Sequence, residues 1–375
     1  MTKEVWENLR TSPKEDGCLR WATFLDDNTT MTSKFVLTPF TITYEGQAVP
    51  MVGVGGVATL PPYRGQGGIR ACFEKALPDM AQRGALFSML YPFSNRFYRK
   101  FGYELGLQMH EWNVHLDSLT HLRPEAEVTL LEKANAGTLA PLIQGADRAF
   151  EARYNGMVRT GEKDRAWIHK ANPFTDGAYT YVCHRGDTPL GYVRFRPGKE
   201  GDTRFLDVGQ MVVTDRSSLQ TLLHLFSVFA ADYTFARFRL PVSLPVTALL
   251  AECSLGKVEV KVRETAMVRV IRARDVLQAM QPQKEVHFAL RLHDDLIAEN
   301  NAVFRITGDP AQGTHVDVLP CEADADADMD IRVFSQLAIR RFGAEDLPYL
   351  PVTLSTGADL SGLFYQSPGY ITYPF

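Results

Sequence analysis

Residues 57–70 read VATLPPYRGQGGIR, which predicts a strand that passes through a glycine-rich turn into a helix. Between Arg64 and Arg83 the apolar residues recur at the spacing of one helical face. They are Ile69, Cys72, Phe73, Ala76, Leu77 and Met80. Glycines at such a turn let backbone N–H groups face a diphosphate, and the helix start adds about half a positive charge. With Arg64 and Arg70 nearby, the turn favours phosphate binding over the alternative of a turn that only redirects the chain.

Three other binding motifs are excluded by the residues that surround the glycine and aspartate patterns. Gly53–Ala58 matches the GxGxxA pattern of dinucleotide binding, but a pair of prolines follows where that fold needs a helix. No Gly-x-x-x-x-Gly-Lys-Ser/Thr phosphate loop occurs. The aspartates that alternate over residues 324–330 are like the start of a calcium loop, yet Met329 replaces its glycine and Ser335 its bidentate glutamate. We therefore expect no metal site, and a solvated loop at the acidic run.

Composition and charge restrict the class of protein. The chain has 375 residues, of which 45% are hydrophobic, so two or three domains with sizeable cores are expected. The net charge is −4 and no stretch concentrates Lys and Arg among aromatics, which argues against nucleic acid as a partner. Five scattered cysteines without CxxC pairs favour reduced thiols. Because no apolar leader and no run of about 18 apolar residues occurs, we expect a soluble cytoplasmic protein without a membrane partner.

The strand-then-helix order occurs twice along the chain. In the first region the predicted strands are Leu19–Leu25, Lys34–Tyr44, Val49–Leu60 and Ala85–Leu90. Farther along, Phe205–Thr214 is strand-like, and an apolar helical stripe runs from Leu219 to Phe229. The turn between them, Thr214–Ser218, contains no glycine, so we expect no phosphate cradle in this second copy.

A third region follows the second copy. It is expected to contain strands near Val286–Leu292 and Val303–Thr307 and a short helix over residues 334–341 that Gly343 ends. Polar linkers at Thr120–Ala126 and Gln278–Lys284 separate the three regions. The expected domains are therefore residues 1–122, 123–281 and 282–375.

Two of these motifs resemble those of the GNAT superfamily of N-acetyltransferases. Arg64–Gly68, after the strand that ends at Leu60, looks like the acetyl-CoA loop of that superfamily. Phe93–Tyr103 is similar to its closing helix, in which a tyrosine faces the coenzyme sulfur. More narrowly, Gly53–Arg64, Ser88–Phe93 and Phe97–Tyr103, with the chain length and the aromatic chain end, resemble the enhanced intracellular survival (Eis) acetyltransferases.

The resemblance implies an α+β fold built from tandem GNAT-like acyl-CoA N-acyltransferase domains with mixed sheets flanked by helices. Residues 1–122 would be the GNAT domain with the acetyl-CoA site, and residues 123–281 a second, degenerate GNAT-like domain. Residues 282–375 would form a sterol-carrier-protein-like α/β domain. The cofactor implied is acetyl-CoA as a co-substrate, with no metal.

The resemblance also implies an acetyl-CoA site made mostly of backbone. Residues 57–59 would bind the pantetheine arm like an added strand, Gly65–Arg70 would hold the pyrophosphate, and residues 93 and 94 would line the other wall. The predicted acetyl-CoA residues are Val57, Ala58, Thr59, Arg64, Gly65, Gln66, Gly67, Gly68, Ile69, Arg70, Phe93 and Ser94. Ile69 departs from the Gly or Ala that usually begins this helix in the superfamily.

Tyr98 is the candidate general acid. Its place in the first turn of a helix that Ser94 is expected to cap favours partial phenolate character. It would protonate the leaving thiolate, a transfer that costs about 2 kcal/mol on reference pKa values of ~10 for Tyr and ~8.5 for a thiol. The alternative is a half-buried core aromatic.

The chain end, YITYPF at residues 370–375, is aromatic where free termini are usually polar and frayed. We therefore expect this end to be held against the protein. In the Eis resemblance the terminal carboxylate serves as the base for the attacking amine, which assigns that role to the α-carboxylate of Phe375. The alternative is that the aromatic side chains only dock the tail into a hydrophobic groove.

These observations favour an enzyme that transfers acetyl from acetyl-CoA to a primary amine. The resemblance implies small-molecule amines as partners, with aminoglycosides as the substrate class, and a homo-oligomer, often a hexamer. One alternative is a protein or peptide lysine acetyltransferase. The other is a non-catalytic protein whose C-terminal domain binds an apolar ligand, against which the intact glycine turn and Tyr98 argue.

Overall fold

The structure is a computed structural model that describes residues 9–13, 17–25, 29–253 and 256–373. Contacts between Cα atoms divide the chain into two units. The first unit holds the residues up to 107, the short segment Asn155–Val158 and the residues from 264 onward. The second unit holds residues 108–154 and 159–263. The domain boundaries expected at 122/123 and 281/282 stay predictions.

The described residues between 9 and 107 form the four strands and the two helices that the sequence predicts, together with two further strands at residues 9–13 and 104–105. The strands are β1 (Leu9–Pro13), β2 (Leu19–Phe24), β3 (Met31–Tyr44), β4 (Gln47–Thr59), β5 (Phe87–Leu90) and β6 (Glu104–Leu105). The α-helices are α1 (Gly68–Gln82) and α2 (Asn95–Arg99). Helix α1 begins at Gly68 rather than Arg64, because the residues before it form the turn.

The next region, residues 108–264, contains a second strand-rich layer. Its strands are β7 (Gln108–His115), β8 (Glu127–Leu130), β9 (Tyr179–Arg185), β10 (Thr188–Glu200), β11 (Thr203–Val213), β12 (Phe235–Leu240) and β13 (Val258–Glu264). Its α-helices are α3 (Ala136–Glu151), α4 (Pro173–Asp176) and α5 (Arg216–Ser227). The predicted strand at Phe205–Thr214 and the helix after it are confirmed as β11 and α5.

The third region completes the described chain. Its strands are β14 (Met267–Val270), β15 (Val286–His293), β16 (Val303–Asp309), β17 (Gly313–Leu319), β18 (Ala327–Asp330) and β19 (Thr353–Leu354). Its α-helices are α6 (Ala273–Ala279) and α7 (Ile331–Ala338). Helix α7 ends well before Gly343, because Arg340 adopts a left-handed backbone with φ 70°.

The acidic run at residues 324–330 is not a solvated loop, so that expectation is wrong. Its second half is β18, which pairs with β15 and β19. The Asp326 carboxylate accepts the backbone N–H of Ala289 at 2.8 Å. Asp330 caps α7 by accepting the backbone N–H of Arg332 at 2.9 Å. These carboxylates are bound to backbone donors because they begin and end regular structure.

The strands form three sheets, two of which contain a strand from a distant part of the chain. The first sheet has the order β1-β2-β3-β4-β5-β14-β6, the second β13-β7-β12-β11-β10-β9-β8, and the third β17-β16-β15-β18-β19. Strand β14 lies between β5 and β6, pairing Val268 with Met89 and with Glu104. Strand β7, which precedes β8–β13 in the chain, pairs with β12. A fragment that ended at residue 122 would therefore lack one strand of its own sheet.

Each layer of helices covers an apolar face of its sheet. Under α1 the core contains Phe73, whose ring stacks on Phe101 at 4.3 Å between centroids. A second core joins β3, β4, β5 and β14 to the residues of the third region. A third core lies within the second unit, between its sheet and α5. The result is an α+β architecture of mixed sheets flanked by helices.

Candidate active site

A cleft of about 780 Å³ lies at the end of β4 in the first unit. One wall consists of the end of β4, the glycine-rich turn and the start of α1. The opposite wall comes from the segment that contains α2. The lining residues are Val57, Ala58, Thr59, Tyr63, Arg64, Gly65, Gly67, Gly68, Ile69, Arg70, Phe93, Phe97, Lys100 and Phe101.

Strand β4 stops pairing with β5 before it reaches this cleft. The parallel ladder between β4 and β5 covers Met51–Gly53, whereas β4 continues to Thr59. Beyond the ladder, the register of β4 against β3 shifts, and Gly56 takes a left-handed backbone with φ 62°. Residues 57–59 line the cleft and lie beyond the ladder between β4 and β5.

The turn after β4 lines the cleft with glycines. Gly65 and Gly67 have φ values of 79° and 88°, in the region that favours glycine. Gly67 is the N-cap of α1, and no side chain of the described residues caps this helix start. A Cβ at Gly68 would lie 2.9 Å from the Thr23 hydroxyl and closer still to that of Ser33. The glycines therefore bring the helix start against the sheet and leave its first amides for a ligand.

Positive charge surrounds this helix start. Arg64, Arg70 and Lys100 all line the cleft with exposed side chains. Arg70 is 3.9 Å from Glu74 one turn later, a loose and solvent-exposed pair. The sequence indicated the two arginines but not Lys100. Lys100 directly follows α2 and lines the cleft with Phe97 and Phe101. Extending the helical spacing of α2 by one residue would have indicated it.

Two predicted acetyl-CoA residues, both described, lie outside the cleft lining. The Gln66 amide donates to the carbonyl of Pro62 at 3.2 Å, on the outside of the turn. The Ser94 hydroxyl accepts the backbone N–H of Phe97 at 3.3 Å and so caps α2, as the sequence predicts. Ile69 both lines the cleft and packs into the core, being 7% exposed.

Tyr98 lies behind the aromatic wall of the cleft. Its side chain is 2% exposed, and its ring meets those of Phe93 and Phe97, each at 5.1 Å between centroids. Burial, with a smaller contribution from Tyr103, raises the pKa of Tyr98 well above its ordinary value. The expected partial phenolate character does not agree with this direction. Desolvation outweighs the dipole of a helix of five residues, so the phenol keeps its proton.

The C-terminal segment reaches the same side of the first unit. Phe375 lies outside the described residues, but Tyr373 is described. The Tyr91 hydroxyl donates to the Tyr373 carbonyl at 2.8 Å, and the rings of Phe40 and Tyr373 lie 5.3 Å apart. Tyr91 directly follows β5 and is two residues before the cleft residue Phe93. The tail is thus held beside the segment that forms one wall of the cleft.

The corresponding turn of the second unit is closed by its own side chains. Asp215 caps α5 by accepting the backbone N–H of Ser218 at 2.8 Å. The Ser218 hydroxyl in turn accepts the backbone N–H of Asp215 at 3.2 Å, which completes a capping box. A smaller cavity of about 280 Å³ lies beside this turn, lined mainly by Leu, Pro and Ala side chains.

Family models match three stretches of the chain. One Acetyltransferase (GNAT) domain model matches residues 2–106 and another matches residues 159–270. A Sterol carrier protein domain model matches residues 267–350. The chain carries two GNAT acetyltransferase domains and a sterol carrier protein domain. It is an acyltransferase enzyme of the N-acetyltransferase type. The match of the second GNAT domain includes β14, although β14 pairs in the sheet of the first unit.

Known proteins share this organisation at low sequence identity. An uncharacterized N-acetyltransferase from Streptomyces avermitilis is 23% identical over 287 residues, covering 72% of this chain and 68% of the relative. A probable N-acyltransferase from Enterococcus faecalis superposes with a TM-score of 0.81 at 21% identity, covering 96% of this chain and 89% of that structure. Eis1 from Mycobacterium abscessus gives 0.74 at 18% identity, covering 95% and 90%. The predicted fold class is confirmed by these likenesses.

Two general properties concern the described part of the chain. None of its helices combines the length and the apolar character needed to cross a membrane. Within the same ranges, no three or more His, Cys, Asp or Glu side chains are grouped so as to hold a metal ion.

Proposed function

We propose that the cleft of the first GNAT domain binds acetyl-CoA and that the enzyme transfers the acetyl group to a primary amine. GNAT domains use acetyl-CoA as a co-substrate. The observation that carries the proposal is the uncapped start of α1, where left-handed glycines and three cationic side chains face one cleft. An anionic diphosphate with a peptide-like arm fits this arrangement, because the open edge of β4 can pair with amides.

In this proposal, different residues of the cleft bind different parts of the coenzyme. The main chain of residues 57–59 holds the pantetheine arm, and the amides of Gly67–Arg70 hold the pyrophosphate. Arg64, Arg70 and Lys100 balance the phosphate charge. Gln66 supports the turn from outside, and Ser94 acts through the cap of α2 rather than through the coenzyme.

The chemical step needs one proton donor and one proton acceptor. The amine nitrogen attacks the thioester carbonyl carbon, a C–N bond forms, and the C–S bond breaks. Tyr98 donates its proton to the departing thiolate. Because burial raises the pKa of Tyr98, the donor stays fully protonated and the transfer costs more than the ~2 kcal/mol of the reference values. The α-carboxylate of Phe375 holds the ammonium and accepts its proton.

The acceptor is the least constrained part of the proposal. We propose a small-molecule amine, with aminoglycosides as the class that the Eis resemblance implies. The test is thiol release from acetyl-CoA with a panel of polyamines, aminoglycosides and lysine peptides. Turnover with aminoglycosides alone would support an Eis-type specificity, and turnover with lysine peptides alone would favour the protein acetyltransferase. No turnover with any amine, together with binding of acetyl-CoA, would contradict the transferase proposal for this cleft.

The role of the chain end needs a test of its own. Appending two glycines after Phe375 keeps the aromatic side chains and displaces only the carboxylate. The extended enzyme should melt normally and bind acetyl-CoA, yet lose most acetyl transfer. Full activity would exclude the carboxylate as the base and leave the acetyltransferase assignment intact.

We also propose a cytoplasmic homo-oligomer, with a hexamer as the expected state. The resemblance to Eis enzymes supports the homo-oligomer. The cytoplasmic location is supported by the five cysteines, all of which are described and none of which forms a disulfide. Light scattering of the full chain should give six times the mass of one chain. A monomer in solution would contradict this part of the proposal.

A further inference from the structure

The segment that carries Tyr98 is too short to hold its own shape. Helix α2 has five residues, whereas an isolated helix shorter than roughly 12–15 residues is marginal in water. The Ser94 hydroxyl caps its start by accepting a backbone N–H. At its end, Phe101 donates its N–H to the carbonyl of Tyr98 at 2.9 Å, and Gly102 donates to that of Arg99 at 3.1 Å. The position of Tyr98 therefore depends on what packs against this segment.

Gly102 brings the end of this segment onto a buried arginine. Its φ of 77° lies in the region that favours glycine. A Cβ at Gly102 would lie 1.5 Å from Nη1 and 2.7 Å from Cζ of Arg269. It would also lie 3.0 Å from a side-chain carbon of Ile331, the first residue of α7. The Cα of Gly102 therefore lies directly against the guanidinium, at a distance that leaves no room for a side chain.

Arg269 lies on β14 and pairs with an acid of the third region. The Arg269 side chain is 0% exposed, and that of Asp294, which directly follows β15, is 1% exposed. Nη2 of the arginine donates to both carboxylate oxygens of Asp294, at 2.7 and 2.9 Å. Asp294 lies in the stretch that the Sterol carrier protein domain model matches. The end of α2 thus contacts an ion pair between the first sheet and that domain.

Asp294 is itself fixed by the loop that follows it. Its carboxylate accepts the backbone N–H groups of Leu296 and Ile297 at 3.0 and 3.2 Å. The same carboxylate accepts the side-chain amide of Asn300 at 2.9 Å. The Asn300 side chain in turn accepts the N–H of Ala273, the first residue of α6, at 2.9 Å. Because these bonds fix the orientation of the carboxylate, they also fix the guanidinium that is bound to it.

The pair contributes little to stability by its hydrogen bonds. Nε and Nη1 of Arg269 are buried, and neither has a hydrogen-bond partner among the described residues. Most buried polar groups have a partner, and replacing a buried ion pair by apolar residues of similar volume is often neutral or stabilising. Nη1 is also the atom that lies against Gly102. This geometry favours a role in fixing the end of α2 over a role in stabilising the fold.

We propose that Arg269 and Asp294 are positioning residues that fix α2 and thereby set the position of Tyr98. This inference rests on the proposed role of Tyr98 as the proton donor. Through Asp294, the sterol carrier protein domain takes part in acetyl transfer without a contact to the reacting atoms. A misplacement of about 1 Å at a reacting group can cost about 100-fold in rate, so a support behind α2 is enough to control the chemical step.

The experiment compares kcat with acetyl-CoA binding in the full-length enzyme. The double substitution Arg269→Met with Asp294→Asn removes both charges, and asparagine keeps an oxygen that can accept the N–H groups of Leu296 and Ile297. We expect kcat to fall about 10- to 100-fold. The Kd for acetyl-CoA should change less than about 3-fold, because the glycine turn is unaffected. In a Tyr98→Phe background, the same double substitution should change kcat by a factor near 1.

A buried ion pair of the second unit provides the matched control. Arg165 and Asp147 pair at 2.8 Å, and both side chains are 9% exposed. Arg165→Met with Asp147→Asn removes the same two charges at a distance from α2 in the sequence and should lower the Tm while kcat stays unchanged. An equal loss of kcat in this control would show a general effect of a damaged core and would overturn the positioning role.

The outcomes separate this inference from the proposed function. A loss of kcat that requires the Tyr98 hydroxyl supports the positioning role. No loss in either background, or the same loss in both, overturns that role, while a slow Tyr98→Phe enzyme still supports the proton donor. A wild-type kcat in Tyr98→Phe alone contradicts the proton donor and overturns the positioning proposal with it.

A second variant tests the contact at Gly102 without relying on activity. Gly102→Ala keeps both members of the ion pair and adds the methyl group that would meet Nη1, so the end of α2 must shift. Hydrogen exchange of the peptide that contains residues 97–103 should become several-fold faster, and exchange in α1 should stay the same. Once Arg269→Met has removed the guanidinium, Gly102→Ala should accelerate exchange less. Unchanged exchange in Gly102→Ala, or an equal acceleration with and without the guanidinium, would overturn Arg269 as the support of α2.

Discussion

The two GNAT domains contain the same strand-turn-helix element, and they treat its helix start in opposite ways. In the first, β4 passes through glycines into α1, whose first amides meet no side-chain cap among the described residues. In the second, β11 leads into α5, and Asp215 with Ser218 fills the same positions with a capping box. The comparison teaches that a helix N-terminus is a ligand site only where the protein leaves its own amides unsatisfied. The second domain satisfies the helix start with its own side chains, whereas the first leaves it without a side-chain cap.

The segments that face the two turns also differ, because only the segment of the first domain contains a tyrosine. After β5 the first domain continues into α2 and its aromatic residues, including Tyr98. After β12 the second domain continues with PVSLPVTALL at residues 241–250, which contains no tyrosine. Apolar side chains from this segment line the small cavity of about 280 Å³ beside Asp215. The second domain therefore has neither a glycine turn nor a tyrosine at the matching places.

Gly67→Val should have the largest effect, because it disrupts the glycine turn that distinguishes the first domain from the second. Gly67 has φ 88°, where a β-branched residue is strongly disfavoured, so the turn must rearrange. We expect acetyl-CoA binding to weaken at least ~100-fold, measured by calorimetry. Ser217→Val in the matching turn of the second domain is the control and should leave binding unchanged. Wild-type affinity in Gly67→Val would show that the cleft is not the coenzyme site.

Tyr98→Phe should have the second-largest effect. It removes the tyrosine hydroxyl that the second domain also lacks at the matching place. We expect kcat to fall ~10²–10⁴-fold while the Kd for acetyl-CoA stays near wild type. Tyr103→Phe is a matched control, because it also removes a buried hydroxyl, one that bonds to Ser88 at 2.7 Å. The control should lower stability and keep kcat. An unchanged kcat in Tyr98→Phe would reduce that residue to a packing role.

Asp215→Ala tests the capped helix start of the second domain. Removing an N-cap carboxylate costs about 1 kcal/mol of unfolding free energy, and Asp215→Asn, which keeps a capping oxygen, should cost much less. Denaturant unfolding measures both. Calorimetry on the same variants should still find one acetyl-CoA per chain, because the turn supplies no glycine. Appearance of a second equivalent would mean that Asp215 alone blocks a functional site.

The smallest expected effect is the pH dependence of the Asp215 cap. Partial burial opposes ionisation of this carboxyl, but hydrogen bonds from Ser218 and Ser217 outweigh it and lower its pKa. A lowered pKa in the folded state stabilises the protein above the ordinary pKa near ~3.9, and this contribution is lost as the pH falls through the folded value. The stability difference between wild type and Asp215→Asn, a few tenths of a kcal/mol, should be constant from neutral pH to about pH 5. A difference that grew on acidification below pH 4 would contradict this sign.

Local sequence signals predicted the parts of the site that are contiguous in the chain. The glycine turn, the helix after it and the Ser94 cap lie where the pattern of residues 57–100 predicts them. The cleft also uses Phe97, Lys100 and Phe101, which follow from the same helix once its orientation is known. Gln66 and Ser94 do not line the cleft, and their side chains bond to the local backbone, so their contacts with acetyl-CoA stay predictions.

The sequence by itself determined the strand-turn-helix element, its repetition in the second domain and the lack of glycine in that second turn. Glycine tolerance, apolar spacing and capping act over a few residues, so a linear pattern records them. Only the tertiary structure decided that β14 completes the first sheet, that Asn155–Val158 joins β3 to residues 368–370, and that Glu45 pairs with Arg340. These contacts join residues far apart in the chain, and their stability comes from burial and backbone pairing that no local pattern encodes.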